Sequence, residues 1–366
     1  MTATLRKIHR WISLTFLLFW VVQAASGIFL VFHREIDDWT ISAGHDAPLD
    51  LALLGEGIEA LEADKGATAT DIFSSTGYST RFDVVLEDDA SGSATIARVN
   101  GHGGLLRERS PDTSVLEGGI YLAVNRIHRQ LLAGTNGRWI VRISGILLFT
   151  NILIALGLAW PARSRWRRAL LPPRSPARPA TIHGWHRAAG LWGAPLALVT
   201  VCCGVLLAFE SETARLLGAR GDRPPALATP AARTEVAPMA AVATAMRAYP
   251  GAAFTGVQMP FDGGPFYAVF LRQPAEPNQA YGATRVFVDA GSGRIVGAFD
   301  PRRAGTADRL MGVLLPLHSG QIAGWAGRIA VLATGFWLIG MIALGSTLWW
   351  TRRRQAARRT RVCVSQ

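Results

Sequence analysis

Cysteine is scarce in this 366-residue chain: Cys202 and Cys203 stand together inside an apolar run, and Cys363 lies in a basic tail. Three thiols so placed build no disulfide framework, and no C-x-x-C-H run exists to attach a haem covalently. Acidic residues are missing where basic ones gather. Residues 1–10, 161–187 and 351–366 hold three, seven and six basic side chains and no Asp or Glu. The net charge of +12 therefore concentrates in three segments that flank apolar runs. That is the positive-inside pattern of a membrane protein, and it argues against a nucleic-acid partner. No Gly-rich phosphate loop, H-E-x-x-H helix or Ser nucleophile elbow occurs in usable context, nor any flavin or nicotinamide domain.

What the chain has instead is apolar length. It is 49% hydrophobic, with a mean hydropathy of +0.22. Four runs, Ile12–Phe32, Ile143–Trp160, Ala188–Phe209 and Ile329–Trp350, approach the ~20 residues that span a bilayer. The first is too long for a signal-peptide core, lacks a small-x-small exit and ends in His33-Arg34-Glu35, so it is read as a retained helix. The expected layout is a multi-pass membrane protein with both termini cytoplasmic. Helix 1 covers 1–33, a first outer region 34–138, helix 2 139–160, a cytoplasmic basic linker 161–187 and helix 3 188–209. A second outer region covers 210–327, helix 4 328–350 and a cytoplasmic basic tail 351–366.

Within the first outer region, Leu51–Lys65 reads as an amphipathic helix with Leu54, Ile58 and Leu61 at helical spacing. Arg81–Glu87 and Thr95–Val99 read as strands, and Glu117–Leu132 as a second helix that carries His128. The second outer region repeats the plan: a helix over Ala237–Tyr249, a strand over Pro265–Leu271, and a hairpin from Thr284–Asp289 and Arg294–Phe299. The linker prolines Pro172, Pro173, Pro176 and Pro179 predict an extended, solvated segment. The fold class is membrane α-helical: four transmembrane helices in two pseudo-symmetric repeats, each with a small α+β outer domain. Parallel repeats of this kind imply an axis along the membrane normal.

The repeat is visible in chemistry-bearing residues. Placing His186-Arg187 on His9-Arg10 puts Gly204 on Gly27 and Phe209 on Phe32 without a gap. His128 and His318 are each followed by Gly-Arg (Gly137-Arg138, Gly327-Arg328) and then by a further glycine, Gly145 and Gly335. His9 and His186 stand at the cytoplasmic ends of their spans, and His128 and His318 at the outer ends. Two neutral imidazoles facing one another are what the axial positions of a haem iron require. The duplicated pairs therefore predict two non-covalent b-type haems, one near each leaflet, ligated by His9 with His186 and His128 with His318. His183, nearly on the face of His186, is an alternative to it, and His33 is an alternative outer ligand. His45 and His102 read as solvated loop residues.

Gly27 lies five turns after His9, about 27 Å along a straight helix, where it leaves a patch without side chain at the outer haem. Gly204, Gly145 and Gly335 invite the same reading, with close helix packing as the alternative. Arg138, Arg142 and Arg328 are candidates for haem propionates, since guanidinium pairs with carboxylate in a bidentate way. Arg10 and Arg187 follow the inner histidines, and headgroup snorkelling serves Arg10 equally well. Trp39, Tyr121 and Trp325 are placed to line an outer acceptor site.

The His-Arg-Trp helix with its downstream glycine, the hairpin Val286-Phe287-Val288-Asp289-Ala290-Gly291-Ser292-Gly293-Arg294-Ile295-Val296-Gly297 and the Leu317-His318 before the last helix resemble the PepSY-associated transmembrane family. The first copy of the hairpin, Ala97 to Leu106, is degraded, and His33 falls opposite Glu210 in the repeat. The resemblance covers nearly the whole chain. It implies PepSY-like outer domains and, from the family's siderophore-iron reductases, a di-haem oxidoreductase for iron uptake. Electrons would pass from an unidentified cytoplasmic or quinol donor to a ferric siderophore or other periplasmic acceptor, taking Fe³⁺ to Fe²⁺. The competing reading is a non-enzymatic, membrane-anchored PepSY module that binds a peptide or partner protein. A permease ranks last, because the spans lack broken helices and interior carboxylates.

Overall fold

The computed structural model describes residues 2–38, 46–75, 80–88, 90–110, 119–171, 178–221, 236–260, 264–278 and 281–364. Trp39, His45 and the linker residues Pro172, Pro173 and Pro176 lie outside them. In chain order the helices are α1 (Thr2–Thr15), α2 (Leu17–Val31), α3 (His33–Asp38) and α4 (Leu51–Lys65). Four strands follow, β1 (Ala67–Ser74), β2 (Arg81–Asp88), β3 (Ala94–Asn100) and β4 (Leu105–Arg109). Next come α5 (Ile120–Gln130), α6 (Gly134–Ala159), α7 (Trp166–Leu170), α8 (Arg178–Ala208), α9 (Glu210–Leu217) and α10 (Pro238–Ala248). Strands β5 (Ala253–Gln258), β6 (Phe266–Arg272), β7 (Thr284–Asp289) and β8 (Ile295–Phe299) precede α11 (Thr306–Ser319) and α12 (Gly324–Val364). These elements fall into two units, one of residues 1–31, 124–209 and 317–366, the other of 32–123 and 210–316.

The first unit is helical. Three helices are long and apolar enough to cross a membrane, over Gly134–Ala159, Pro179–Ala208 and Gln321–Ala357. A fourth crossing exists if α1 and α2 count as one span; they meet at an angle of 64°. That bend departs from the straight helix 1 of the sequence reading, so the simple rise from His9 to Gly27 does not apply. No proline or glycine marks it; the hydrogen bonds Phe16 N to Ile12 O and Trp20 N to Phe16 O continue through it. α12 packs on α2 and α8, and α6 packs on α8 and α1. Trp20, Leu148, Ile152, Ala194 and Ala197 form the buried centre. Helices α8 and α12 extend beyond the expected spans into the basic segments, because nothing in those Arg-rich stretches stops a helix. Pro179, expected in an extended linker, lies in the first turn of α8, where its missing N–H costs no helical hydrogen bond.

This unit contains no Asp or Glu at all: all 26 acidic residues belong to the other unit. Its arginines therefore have no carboxylate within the unit to pair with.

The second unit is built on one antiparallel sheet of eight strands, in the order β4-β3-β2-β1-β5-β6-β7-β8. The sequence reading expects a small domain in each outer region; the strands of both regions instead join through β1 and β5. Those two strands escape a reading by hydrophobic alternation. Ala67–Ser74 is mostly small and polar, and Ala253–Gln258 carries a central glycine. Their shared register pairs Asp71 with Gln258, Ile72 with Val257 and Phe73 with Gly256. α4 begins at an Asp50 cap, whose carboxylate accepts from Ala52 N and Leu53 N at 2.9 and 3.2 Å. α4 and α10 bury Leu54, Ile58, Leu61, Val242 and Ala245 with Phe82, Phe254 and Tyr267 of the strands. Arg98 is held by Asp83 through two hydrogen bonds, and buried Glu276 accepts from Gln273 N and Thr284 Oγ1.

The β1–β5 join depends on Gly256, where a Cβ would lie 2.5 Å from Phe73 Cδ1 and 2.7 Å from the Ile72 carbonyl. Gly256→Ala is expected to destabilise the sheet unit by about 1–3 kcal/mol, the usual cost of forcing an atom into a packed site. Denaturant unfolding followed by limited proteolysis of the full chain measures it.

Candidate functional site

Two pairs of imidazoles face one another in the helical unit. His128, near the end of α5, and His318, near the end of α11, have ring centroids 6.2 Å apart and planes inclined by 43°. His9 on α1 and His186 on α8 are 6.4 Å apart and inclined by 55°. The chain reaches the first pair through tight turns. Gly137 and Gly327 open α6 and α12 so close to the Gln130 and Gly320 carbonyls that a Cβ would stand 1.7 and 2.1 Å from those oxygens. This explains the repeated Gly-Arg. The helix that carries each histidine doubles back at once into a long apolar helix, and only glycine allows it.

Hydrogen bonds fix three of the four rings through Nδ1. His318 Nδ1 lies 2.9 Å from the Thr200 carbonyl, which can only accept, so Nδ1 carries the proton. His9 Nδ1 donates to Asn151 Oδ1 at 3.0 Å, and Asn151 Nδ2 donates onward to Ser13 Oγ, which sets the amide's orientation. His128 Nδ1 meets Ser26 Oγ at 2.9 Å, and that hydroxyl donates to the carbonyls of Val22 and Gln23. In each case the neutral ring keeps its Nε2 lone pair, as a metal-binding histidine anchored by its other nitrogen does. His186 is the exception, its Nδ1 buried without a well-formed hydrogen bond among the described residues. Burial, reinforced by the neighbouring His318, holds His128 down to about 4, and burial lowers His318 as well. Both rings are therefore neutral near pH 7.

Glycines make room for the rings. A Cβ at Gly27 would stand 3.3 Å from His128 Cε1, and one at Gly204 2.8 Å from His318 Cε1. Gly345, which the sequence reading passed over, has the same relation to His186 at 3.3 Å. Gly145 and Gly335 lie against Val205 and Ile28 of neighbouring helices, so they serve close packing. His33 stacks on Tyr121 with centroids 4.3 Å apart. His183 is exposed one turn before His186, and His102 is exposed in the turn after β3.

The arginines take carbonyls. Arg142 Nε donates to Ala208 O at 2.7 Å, and its guanidinium lies 4.9 Å from the ring centres of Trp139 and Phe209. Arg328 donates to Val31 O through Nε and Nη2, over the Trp325 ring. Val31 and Ala208 end α2 and α8, and they coincide when the sequence is slid upon itself. Arg187 Nε reaches Ala159 O at 3.3 Å. Arg138 is exposed and bonds Thr135 Oγ1.

Sequence reasoning missed Ser26, Asn151 and Thr200, the groups that orient the rings. Ser26 and Asn151 are polar side chains buried within apolar helices, a signal that was there to read. Thr200 acts through its backbone carbonyl and left none. Among the described residues no group of three or more His, Cys, Asp or Glu side chains can hold a bare metal ion. The chain offers facing pairs.

A family model described as the PepSY-associated TM region matches residues 6–352. The chain belongs to this family. A search of curated proteins finds no match to it. As a PepSY-associated membrane protein, it combines the long apolar helices with an antiparallel sheet domain.

Gly204→Ala is expected to cost about 1–3 kcal/mol by driving a methyl group into the His318 ring. At Gly157, where a Cβ would have nothing within 4 Å, Ala is expected to be neutral or to gain up to about 1 kcal/mol of helix propensity. Thermal unfolding of both purified variants in detergent gives the comparison.

Proposed function

We propose that this chain is a di-haem electron-transfer protein of the bacterial inner membrane. On this reading it reduces an acceptor outside that membrane, and the family resemblance points to a ferric siderophore. The observation that carries the reading is the spacing of the two imidazole pairs. A metal bound from opposite sides by two imidazoles has nitrogen–metal bonds of ~2 Å, and each nitrogen is roughly 1 Å from its ring centre, so the centroids fall roughly 6 Å apart. The pairs lie at 6.4 and 6.2 Å. Two protein ligands per site suit a metal whose other four positions are filled by a macrocycle. Cysteines outside any C-x-x-C-H context suit non-covalent b-type haem.

When bound, such haems supply one-electron chemistry; the chain's own residues do the rest. His9 and His186 would hold one centre, and His128 and His318 the other. Asn151, Ser26 and the Thr200 carbonyl fix the ring orientations and keep Nε2 deprotonated. Gly27, Gly204 and Gly345 leave the ring edges unobstructed. Arg142 and Arg328 commit N–H donors to helix-end carbonyls, so exposed Arg138 is the better of the three candidates for a propionate. The chemistry the centres would supply is one-electron reduction of an outer Fe³⁺ to Fe²⁺, which a ferric chelator holds weakly, with a quinol or a cytoplasmic donor as the source of the electron.

The finer layout belongs to the same proposal: four spans, two pseudo-symmetric repeats and cytoplasmic termini. Its supports are the outward order of three strands on either side of the β1–β5 pair, the matched Arg142–Ala208 and Arg328–Val31 bonds, and the acid-free basic segments at the two termini and in the linker. One observation favours the binding module instead. The sheet unit has a cavity of about 510 Å³ whose walls include Leu51, Ile58, Glu59, Met239, Met259 and Tyr267.

Expressed with ample haem, the purified chain is expected to be red, with reduced-minus-oxidised bands of low-spin b-type haem. His318→Ala and His9→Ala should each remove one haem equivalent. A colourless wild-type preparation sinks the redox reading and leaves the binding module.

A further inference from the structure

Between the two histidine pairs the helical unit sets four aromatic rings among aliphatic side chains, three of them from the α1–α2 stretch and one from α12. Trp20 is 2% exposed and packs among Leu148, Ile152, Ala194 and Ala197, with Phe16, Phe19 and Trp337 at the margin of the same cluster. Phe16 stacks on Trp20, centroids 5.8 Å apart and planes 22° from parallel. On α2, Trp20 precedes by seven residues, about 10 Å of helix, the Gly27 that faces His128. On α12, Trp337 precedes by eight residues, about 12 Å, the Gly345 that faces His186. The indoles thus stand inward from both sites.

Packing alone does not account for this choice of side chains. Sliding the sequence upon itself puts Gly193 opposite Phe16 and Ala197 opposite Trp20, so the second copy carries the smallest residues where the first carries rings. Gly193 is needed: a Cβ there would lie 2.3 Å from Trp337 Nε1, which donates to the Ala189 carbonyl. The Trp20 indole N–H, by contrast, is buried with no hydrogen-bond partner among the described residues. An unpaired buried donor is costly, and a phenylalanine or leucine would fill the space without one. The indole is present despite that cost.

We propose that Trp20, with Phe16 stacked on it and Trp337 at the margin of the same cluster, is the bridge that couples the His9–His186 site to the His128–His318 site. The proposal rests on the two-haem reading. A close-packed row of π systems transmits an electron by tunnelling better than saturated side chains do, because its filled and empty orbitals lie nearer in energy to the travelling electron. No bond forms or breaks and no indole is oxidised. One electron leaves the centre held by His9 and His186, which is oxidised, and arrives at the centre held by His128 and His318, which is reduced. Trp20 touches no ligand ring in this arrangement; it acts on the rate of passage alone.

The experiment uses the full haem-loaded chain and times the reduction of the outer centre after an electron enters at the inner one. Trp20→Leu is expected to slow that passage about tenfold or more, while haem content, absorption bands and midpoint potentials stay those of the wild type, since the cofactor's own chemistry is untouched. Trp20→Phe, which keeps a ring, should recover much of the rate; a role in packing alone would give no such rescue. Should Trp20→Leu fail to fold, Trp337→Leu is read in the same way. An unchanged rate in a Leu variant that retains both haems overturns the bridge and leaves the two-haem reading standing. A wild-type chain without haem overturns both.

Discussion

A helix that ends away from water leaves carbonyls with no partner, and in a low-dielectric setting each must be satisfied from within the protein. α2 and α8 meet that constraint in the same way. Arg328, near the start of α12, donates to Val31 O at the end of α2, and Arg142, about two turns inside α6, donates to Ala208 O at the end of α8. Each bond ties the end of one helix to the beginning of another, next to the turn that brings His318 or His128 back towards the bundle. The guanidinium groups rest on Trp325 in one case and on Trp139 and Phe209 in the other. The imidazole pair depends on this frame, because the turns at Gly137 and Gly327 aim each histidine only if the helices beyond them are held.

The charge distribution follows from the same setting. A carboxylate in the helical unit would neutralise an arginine and withdraw it from a carbonyl; none is present. Cations so placed are satisfied by backbone and by aromatic faces. The sheet unit works the opposite way. Its buried charges are matched inside it, as with Arg98 and Asp83, or wrapped in donors, as with Glu276. A polar, self-satisfied sheet and an acid-free helical bundle thus grow from alternating stretches of one chain.

Much of this was legible in the residues. The duplicated histidines and the glycines placed on them stand out because a repeat marks the same position twice, and Gly27 and Gly204 both lie against imidazoles. Gly145 and Gly335 repeat equally well and meet only aliphatic side chains, so repetition marks a shared position without saying what occupies it. β1 and β5 were not legible, since strand patterns report a buried face and these two are joined largely by backbone at the centre of the sheet. The bend between α1 and α2 left no proline or glycine to find.

By itself the sequence determined the class of the protein, its apolar helices, the family and the duplicated histidines that pair in the fold. Those follow from composition and short-range spacing, which each segment carries wherever it ends up. Only the tertiary structure decided that the two outer regions share a single sheet, that Asn151, Ser26 and the Thr200 carbonyl orient the rings, and that Trp20 and Trp337 pack where α8 carries alanine and glycine. Each of these is a contact between segments far apart in the chain. Its energy depends on distance and direction in space, and a linear order of residues records neither.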